Sequence, residues 1–130
     1  MLVPVGRMTS ATVTATTAFR ATHNWPEAPD SVAYLRPPHR HVFGVQVTVH
    51  AHVDDRREVE FHILQRHVDK VVSALCDSDE LKACPHLEGW SCESIAGFVG
   101  EQLRTSPFLY AVYSVRVDED GENWATVYWP

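Results

Sequence analysis

A chain of 130 residues is sized for one domain, since chains divide into several only beyond about 250 residues. Its 45% hydrophobic and 22% charged residues exclude a disordered segment, and no apolar run approaches the roughly 20 residues of a bilayer span. A net charge of -6 excludes the basic face that nucleic acids and anionic membrane surfaces attract, so neither is an expected partner.

The segment Met1 to Met8 carries one basic residue and no apolar stretch of signal-peptide length, which gives a cytoplasmic expectation. Cys76, Cys84 and Cys92 are odd in number and lack a C-x-x-C spacing. They read as small buried hydrophobes in a reducing compartment, not as a disulfide framework or a thiolate zinc site.

Thr12 to Thr22 is the first expected strand. Val13, Ala15, Phe19 and Ala21 make one face mainly apolar, Thr12, Thr14, Thr16, Arg20 and Thr22 line the other, and β-branched residues suit a pleated surface. Pro26, Pro29, Pro37 and Pro38 then forbid a continuous helix or central strand between Trp25 and Pro38. From His41 to Val53 the alternation is unbroken: Phe43, Val45, Val47, Val49, Ala51 and Val53 point one way. The charged turn Asp54 to Arg57 closes that strand, which is expected to pair antiparallel with the first.

Phe61, Leu64, Val68, Val71 and Leu75 recur at helical steps, giving one apolar stripe. After Pro85 and Gly89, Ser91 is placed to N-cap a second helix, with Glu93 in its first turn and Ile95, Phe98, Val99 and Leu103 as its stripe. Leu109, Ala111, Tyr113, Val115 and Val117 alternate up to Asp120-Gly121, a hairpin turn, and Asn123 to Trp129 returns. The order strand, strand, helix, helix, strand, strand predicts an α+β domain: a four-stranded antiparallel sheet backed by two helices on one face.

Histidine is in excess, with eight in the chain. His39 and His41 share the parity of Phe43, and His23 that of Phe19, so pairing of the first two strands brings all three rings to one end of the apolar face. Buried imidazoles are costly unless satisfied, and two solutions remain open: a divalent metal with one free coordination position, or hydrogen bonds to loop carbonyls. His50 and His52 have the opposite parity and are expected to be solvated, as are His62, His67 and His86. Glu119 continues the odd face of the third long strand. Its carboxylate either accepts two parallel N–H donors of a ligand or belongs to the acidic turn Asp118-Glu119-Asp120 and faces water.

Five segments in order resemble the 6-pyruvoyltetrahydropterin and 6-carboxytetrahydropterin synthase family. Phe19-Arg20-Ala21-Thr22-His23 resembles its F-x-A-x-H, and His39-Arg40-His41 its H-G-H. Val59-Glu60-Phe61 resembles V-x-D-F, Trp90-Ser91-Cys92-Glu93 stands where the family has P-T-S-E, and Val115-Arg116-Val117-Asp118-Glu119 is similar to V-x-V-x-E-T. The resemblance implies one tunnelling-fold (T-fold) domain over residues 1–130, with its core at about 12–129. It also implies homo-oligomers, trimers or hexamers, with sites at subunit interfaces, and a Zn2+ ion held by His23, His39 and His41. Glu119 then anchors a pterin ring, and Ser91 belongs to the substrate site.

The departures from the family pattern are specific. Its catalytic cysteine, four residues before the H-G-H pair, is replaced by Leu35, which cannot move a proton. Its D-H-x-x-L-N motif is best matched by Asp77-Ser78-Asp79-Glu80-Leu81-Lys82, with serine for histidine. Glu27 or Asp30 is the candidate replacement for the cysteine, and Asp77 remains a catalytic candidate. The resemblance therefore implies a divergent zinc-dependent lyase acting on 7,8-dihydroneopterin triphosphate or a related pterin, in pterin or 7-deazapurine (queuosine-type) biosynthesis. The alternatives are a non-catalytic zinc-containing pterin- or purine-binding protein and, more remotely, a metal hydrolase of an unrelated small molecule.

Overall fold

Alternation of apolar and polar residues over two long segments produces the backbone of the molecule, seen in a computed structural model that describes residues 10–53, 57–76 and 86–130. Strand β1 (Ser10–Asn24) and strand β2 (His39–His52) pair antiparallel in unbroken register, from Ser10 opposite His52 to His23 opposite His39. Ala15, Phe19, Ala21, Phe43, Val45, Val47 and Val49 are buried on the face that the sequence assigned to them. The strands run further towards the proline-rich connection than expected, so that His23, His39 and His41 all stand within them. Inside that connection lies a short 3-10 helix (Asp30–Leu35), started after Pro29 and closed at Arg36, in a segment expected to be only a loop.

Helix α1 (Phe61–Leu75) begins at Glu60, whose carboxylate accepts a hydrogen bond from the His62 amide. Its buried stripe is Leu64, Val68, Val71 and Val72. Phe61, expected in the stripe, is 62% exposed, since at the first helical position there is no preceding turn for the side chain to lie over. Helix α2 (Cys92–Arg104) has the expected N-cap: the Ser91 hydroxyl accepts from the Ser94 amide, and Ser94 closes a reciprocal box. Such a cap is worth about 1 kcal/mol. Ile95, Val99 and Leu103 face the sheet and are fully buried.

Strand β3 (Leu87–Glu88) is a two-residue strand lying parallel to the end of β1. Strand β4 (Val112–Glu119) pairs antiparallel with β2, and strand β5 (Asn123–Tyr128) with β4. The sheet is therefore five-stranded and mixed, in the order β3-β1-β2-β4-β5, which corrects the expected four-stranded antiparallel sheet. Two residues are too few for a periodic signal, which is why β3 escaped the sequence.

A β-bulge between Thr48 and Val49 corrects the first half of β4. Thr48 pairs with Ser114 and Val49 with Val112, so Tyr113 is the extra residue. The insertion reverses parity. Val112 is buried, whereas Leu109 and Tyr113, expected inside, are exposed. Beyond the bulge Val115 and Val117 are buried as expected. The β4–β5 turn has Asp120 at φ 56° and Gly121 at φ 72°, the left-handed region that Asp-Gly turns supply.

Cys76 is disulfide-bonded and Cys92 is a free, buried thiol, so the reading of all three cysteines as reduced hydrophobes is corrected at Cys76. Cys84, Asp77 and most of the turn at 54–57 lie outside the described residues. Among the described residues no helix is long and apolar enough to cross a membrane.

Candidate metal centre and adjoining cleft

The β1–β2 register decides the site. Because His23 faces His39 across the pair and His41 follows two residues along β2, three imidazoles share one end of the buried face. Their ring centres are 4.5, 5.2 and 5.1 Å apart pairwise, and one nitrogen from each lies within 4.8 Å of the others. Phe43 stands edge-on beneath His23 at 5.1 Å and His41 at 5.8 Å, so the floor of the cluster is apolar.

Each ring is held from behind through Nδ1. His23 Nδ1 donates to the Trp90 carbonyl at 2.7 Å, His39 Nδ1 to the Pro37 carbonyl at 3.0 Å, and His41 Nδ1 to the Asp120 carboxylate at 2.7 Å. A carbonyl only accepts, so the hydrogen of His23 and of His39 is on Nδ1 and the Nε2 lone pair is left free. Outer acceptors that fix the tautomer and aim the other nitrogen are the usual companions of metal-ligating histidines. The two solutions left open by the sequence are thus combined: loop carbonyls take one side of two rings, and the other side remains available.

That other side carries an imbalance. His23 Nε2 is buried and makes no hydrogen bond. Glu119 Oε1 lies 3.4 Å from it and Oε2 3.3 Å from His41 Nε2. A carboxylate and two imidazole lone pairs are all acceptors, and they repel unless a proton or cation lies among them. Burial lowers the His23 pKa, the Trp90 carbonyl and Glu119 opposing that shift only in part, which disfavours the proton. The donor set, three imidazole nitrogens with their rings held from behind and one of them, His23 Nε2, buried without a partner, fits a divalent ion such as zinc.

Asp120 is the residue that sequence reading missed, since it registered there only as a turn. Its Oδ1 accepts from the Val42 amide at 2.8 Å while Oδ2 holds His41, and its own amide donates to the Val42 carbonyl. The His41 and Val42 bonds hold its carboxyl below the usual carboxylate range.

Beside the cluster opens a cleft of about 420 Å3. His23, His39 and Glu119 form one wall, Ser91, Cys92 and Glu93 at the start of α2 another, and Trp25, Trp90 and Trp124 supply aromatic surface. Ser91 therefore borders the cleft while capping its helix. Leu35, at the family's cysteine position, also lines the cleft. Cys92 reaches it from α2 instead, its thiol donating towards Glu119 Oε1 at 3.7 Å. Burial, with Glu119 nearby, pushes that thiol up to about 12, so it is no base at neutral pH. Glu27 is exposed and is not among the residues lining the cleft. Asp30 is paired with Arg36 at 2.7 Å, outside the cleft.

The remaining histidines divide. His50 and His52 are exposed as expected, His50 beside Tyr113 and His52 against Glu58 at 3.1 Å. His62 is exposed. His67 and His86 are better satisfied than expected: His67 Nδ1 is 2.6 Å from the Tyr110 hydroxyl, and His86 bridges Thr22 and Asn24.

A profile described as 6-pyruvoyl tetrahydropterin synthase matches residues 12–129. Among solved structures, the Caenorhabditis elegans 6-pyruvoyl tetrahydropterin synthase superposes with a TM-score of 0.69 at 18% identity, covering 95% of this chain and 99% of that one. The Plasmodium vivax 6-pyruvoyl tetrahydropterin synthase gives 0.67 at 19% identity, with 93% and 98% covered. The Plasmodium falciparum protein of the same name gives 0.64 at 17%, with 92% and 98% covered. One solved form of the Plasmodium vivax enzyme is a mutant of a glutamate named as its catalytic residue. No curated protein matches the sequence significantly.

Proposed function

The chain belongs to the 6-pyruvoyl tetrahydropterin synthase family, and on that premise we propose that it is a zinc-dependent lyase acting on 7,8-dihydroneopterin, its phosphate esters or a closely related pterin. The observation that carries the proposal is the convergence of the His23, His39 and His41 rings, backed by Trp90, Pro37 and Asp120, beside a cleft that Glu119 enters. When bound there, zinc would serve as a Lewis acid towards an oxygen of the substrate side chain. His23, His39 and His41 hold it. Glu119 accepts the ring N–H and amino hydrogens of the pterin through its two oxygens. Ser91 borders the same cleft and orders the start of α2.

Proton transfer is where this chain departs from its relatives. Leu35 cannot accept a proton, and the Cys92 thiol holds its own too tightly. The Plasmodium vivax enzyme, with a glutamate named as catalytic, makes an acidic residue the natural substitute, and Glu27 and Asp77 remain the candidates. A second reading, a pterin-binding protein without turnover, is favoured by one observation, the leucine in the cleft. We propose self-association with sites at subunit interfaces. The family's oligomers support it, and Tyr34, Leu109, Trp124 and Tyr128 are large exposed side chains that an interface could cover. A cytoplasmic setting is proposed from the family, with the Cys76 disulfide as the observation against it.

Incubation of zinc-loaded protein with 7,8-dihydroneopterin and its triphosphate, followed by chromatography, tests the reading. Conversion to a new pterin supports the enzyme. Binding without conversion supports the second reading, and neither binding nor conversion overturns both.

A further inference from the structure

Among the described residues only two polar side chains are buried: His23 and, next to it at the end of β1, Asn24. The Asn24 carboxamide joins three segments. Its Nδ2 donates to the Arg36 carbonyl at 3.2 Å, and its Oδ1 accepts from the Gly89 amide at 3.2 Å and faces His86 Nε2 at 3.1 Å. A carbonyl only accepts and an amide N–H only donates, so these partners fix which end of the carboxamide is oxygen and make His86 Nε2 a donor. His86 Nδ1 then accepts from the Thr22 hydroxyl at 2.8 Å.

Both backbone partners of Asn24 stand one residue before a carbonyl that holds an imidazole of the cluster. Arg36 precedes Pro37, whose carbonyl accepts from His39 Nδ1, and Gly89 precedes Trp90, whose carbonyl accepts from His23 Nδ1. The proline ring locks φ, so pinning the Arg36 carbonyl leaves the Pro37 carbonyl little but ψ to turn about. Gly89 sits at φ 75° in a turn closed by the Trp90 amide on the Leu87 carbonyl at 3.2 Å, and without a tether glycine is the residue freest to leave such a conformation. His41 lies outside this arrangement, since its acceptor Asp120 belongs to the β4–β5 turn.

We infer that Asn24 is a positioning residue of the histidine cluster: through Arg36–Pro37 and Gly89–Trp90 it sets the two carbonyls that keep His23 and His39 in the Nδ1–H form. Once those carbonyls drift, either ring is free to take the other tautomer, whose Nε2–H has no lone pair to offer a cation. The inference rests on the zinc reading above and adds the residue that organises two of its three ligands from behind.

The test compares the full-length parent with Asn24→Ala and Asn24→Asp, the fold of each checked by circular dichroism. In mildly alkaline solution, where imidazole is neutral, side-chain nitrogen chemical shifts report the tautomer of each ring. The parent should show the Nδ1–H form at His23, His39 and His41. In Asn24→Ala, His23 and His39 should move towards the Nε2–H form while His41 stays. Zinc affinity by chelator competition should fall about 3- to 10-fold, less than loss of a direct ring partner costs. Asn24→Asp keeps an acceptor for Gly89 but sets an oxygen against the Arg36 carbonyl, so its effect should be confined to His39. Parental tautomers and zinc affinity in Asn24→Ala, or an equal shift at all three rings, would overturn the inference and leave the zinc reading standing. A parent protein that binds no zinc overturns the zinc reading, and the inference with it.

Discussion

The two ends of β2 each carry a pair of histidines with one residue between them, and only one pair belongs to the candidate metal centre. His39 and His41 share the buried face, are met by His23 from β1, and have their Nδ1 atoms tied to Pro37 and Asp120. His50 and His52 lie exposed on the other face, His50 edge-on to Tyr113 and His52 3.1 Å from Glu58, and among the described residues no third imidazole joins them. The spacing H-x-H is the same at both ends. What separates a candidate ligand pair from two solvated side chains is strand parity, a third group on the neighbouring strand, and acceptors behind the rings.

The largest effect should come from breaking the inner pair. His41→Ala removes one of the three proposed ligands, and zinc affinity measured by chelator competition should fall by more than about 100-fold, beyond what loss of a residue that only supports a ligand costs. The same substitution at His50 or His52 should leave affinity unchanged.

Next comes the support behind His41. Asn tolerates the positive φ that Asp120 adopts, so Asp120→Asn keeps the turn while replacing the charged acceptor that steers the ring. Zinc affinity should fall by about 10- to 100-fold with the fold intact by circular dichroism.

At the outer pair the consequences concern stability alone, and they are small. His52→Ala should change unfolding free energy by no more than about 0.5 kcal/mol in denaturant titration. Close to that end of β2, Glu60 caps α1, and its bond from the His62 amide lowers its pKa. A carboxylate with a depressed folded pKa contributes stability above its unfolded value of about 4.3, and the contribution is lost as pH falls through the lower folded value. Glu60→Gln should therefore flatten a slight loss of thermal stability in that acid range, without changing metal binding at neutral pH.

Much of the inner site was legible in the sequence because it depends on parity. Phe43 to Ala51 alternate without interruption, Val13 to Ala21 do so apart from Thr17 and Ala18, and the histidines extend the pattern to the strand ends. Both helices were legible from their stripes, and α2 from its cap. Parity fails where a residue is inserted. Tyr113 leaves no mark in the alternation of Leu109, Ala111 and Val115, so the outer half of β4 was assigned to the wrong face. Asp120 could not be recognised as a support for His41, since 79 positions separate them and only the β2–β4 pairing joins them. The aromatic cleft shares that origin: Trp25, Trp90 and Trp124 come from three loops or strand edges with no common period.

The most direct test of the account is metal analysis of purified protein after zinc loading and gel filtration, comparing the parent with His39→Ala/His41→Ala and with His50→Ala/His52→Ala. The account predicts one zinc per chain in the parent and in the outer double variant, and none in the inner one. Zinc retained by the inner variant, or lost equally from both, would contradict it.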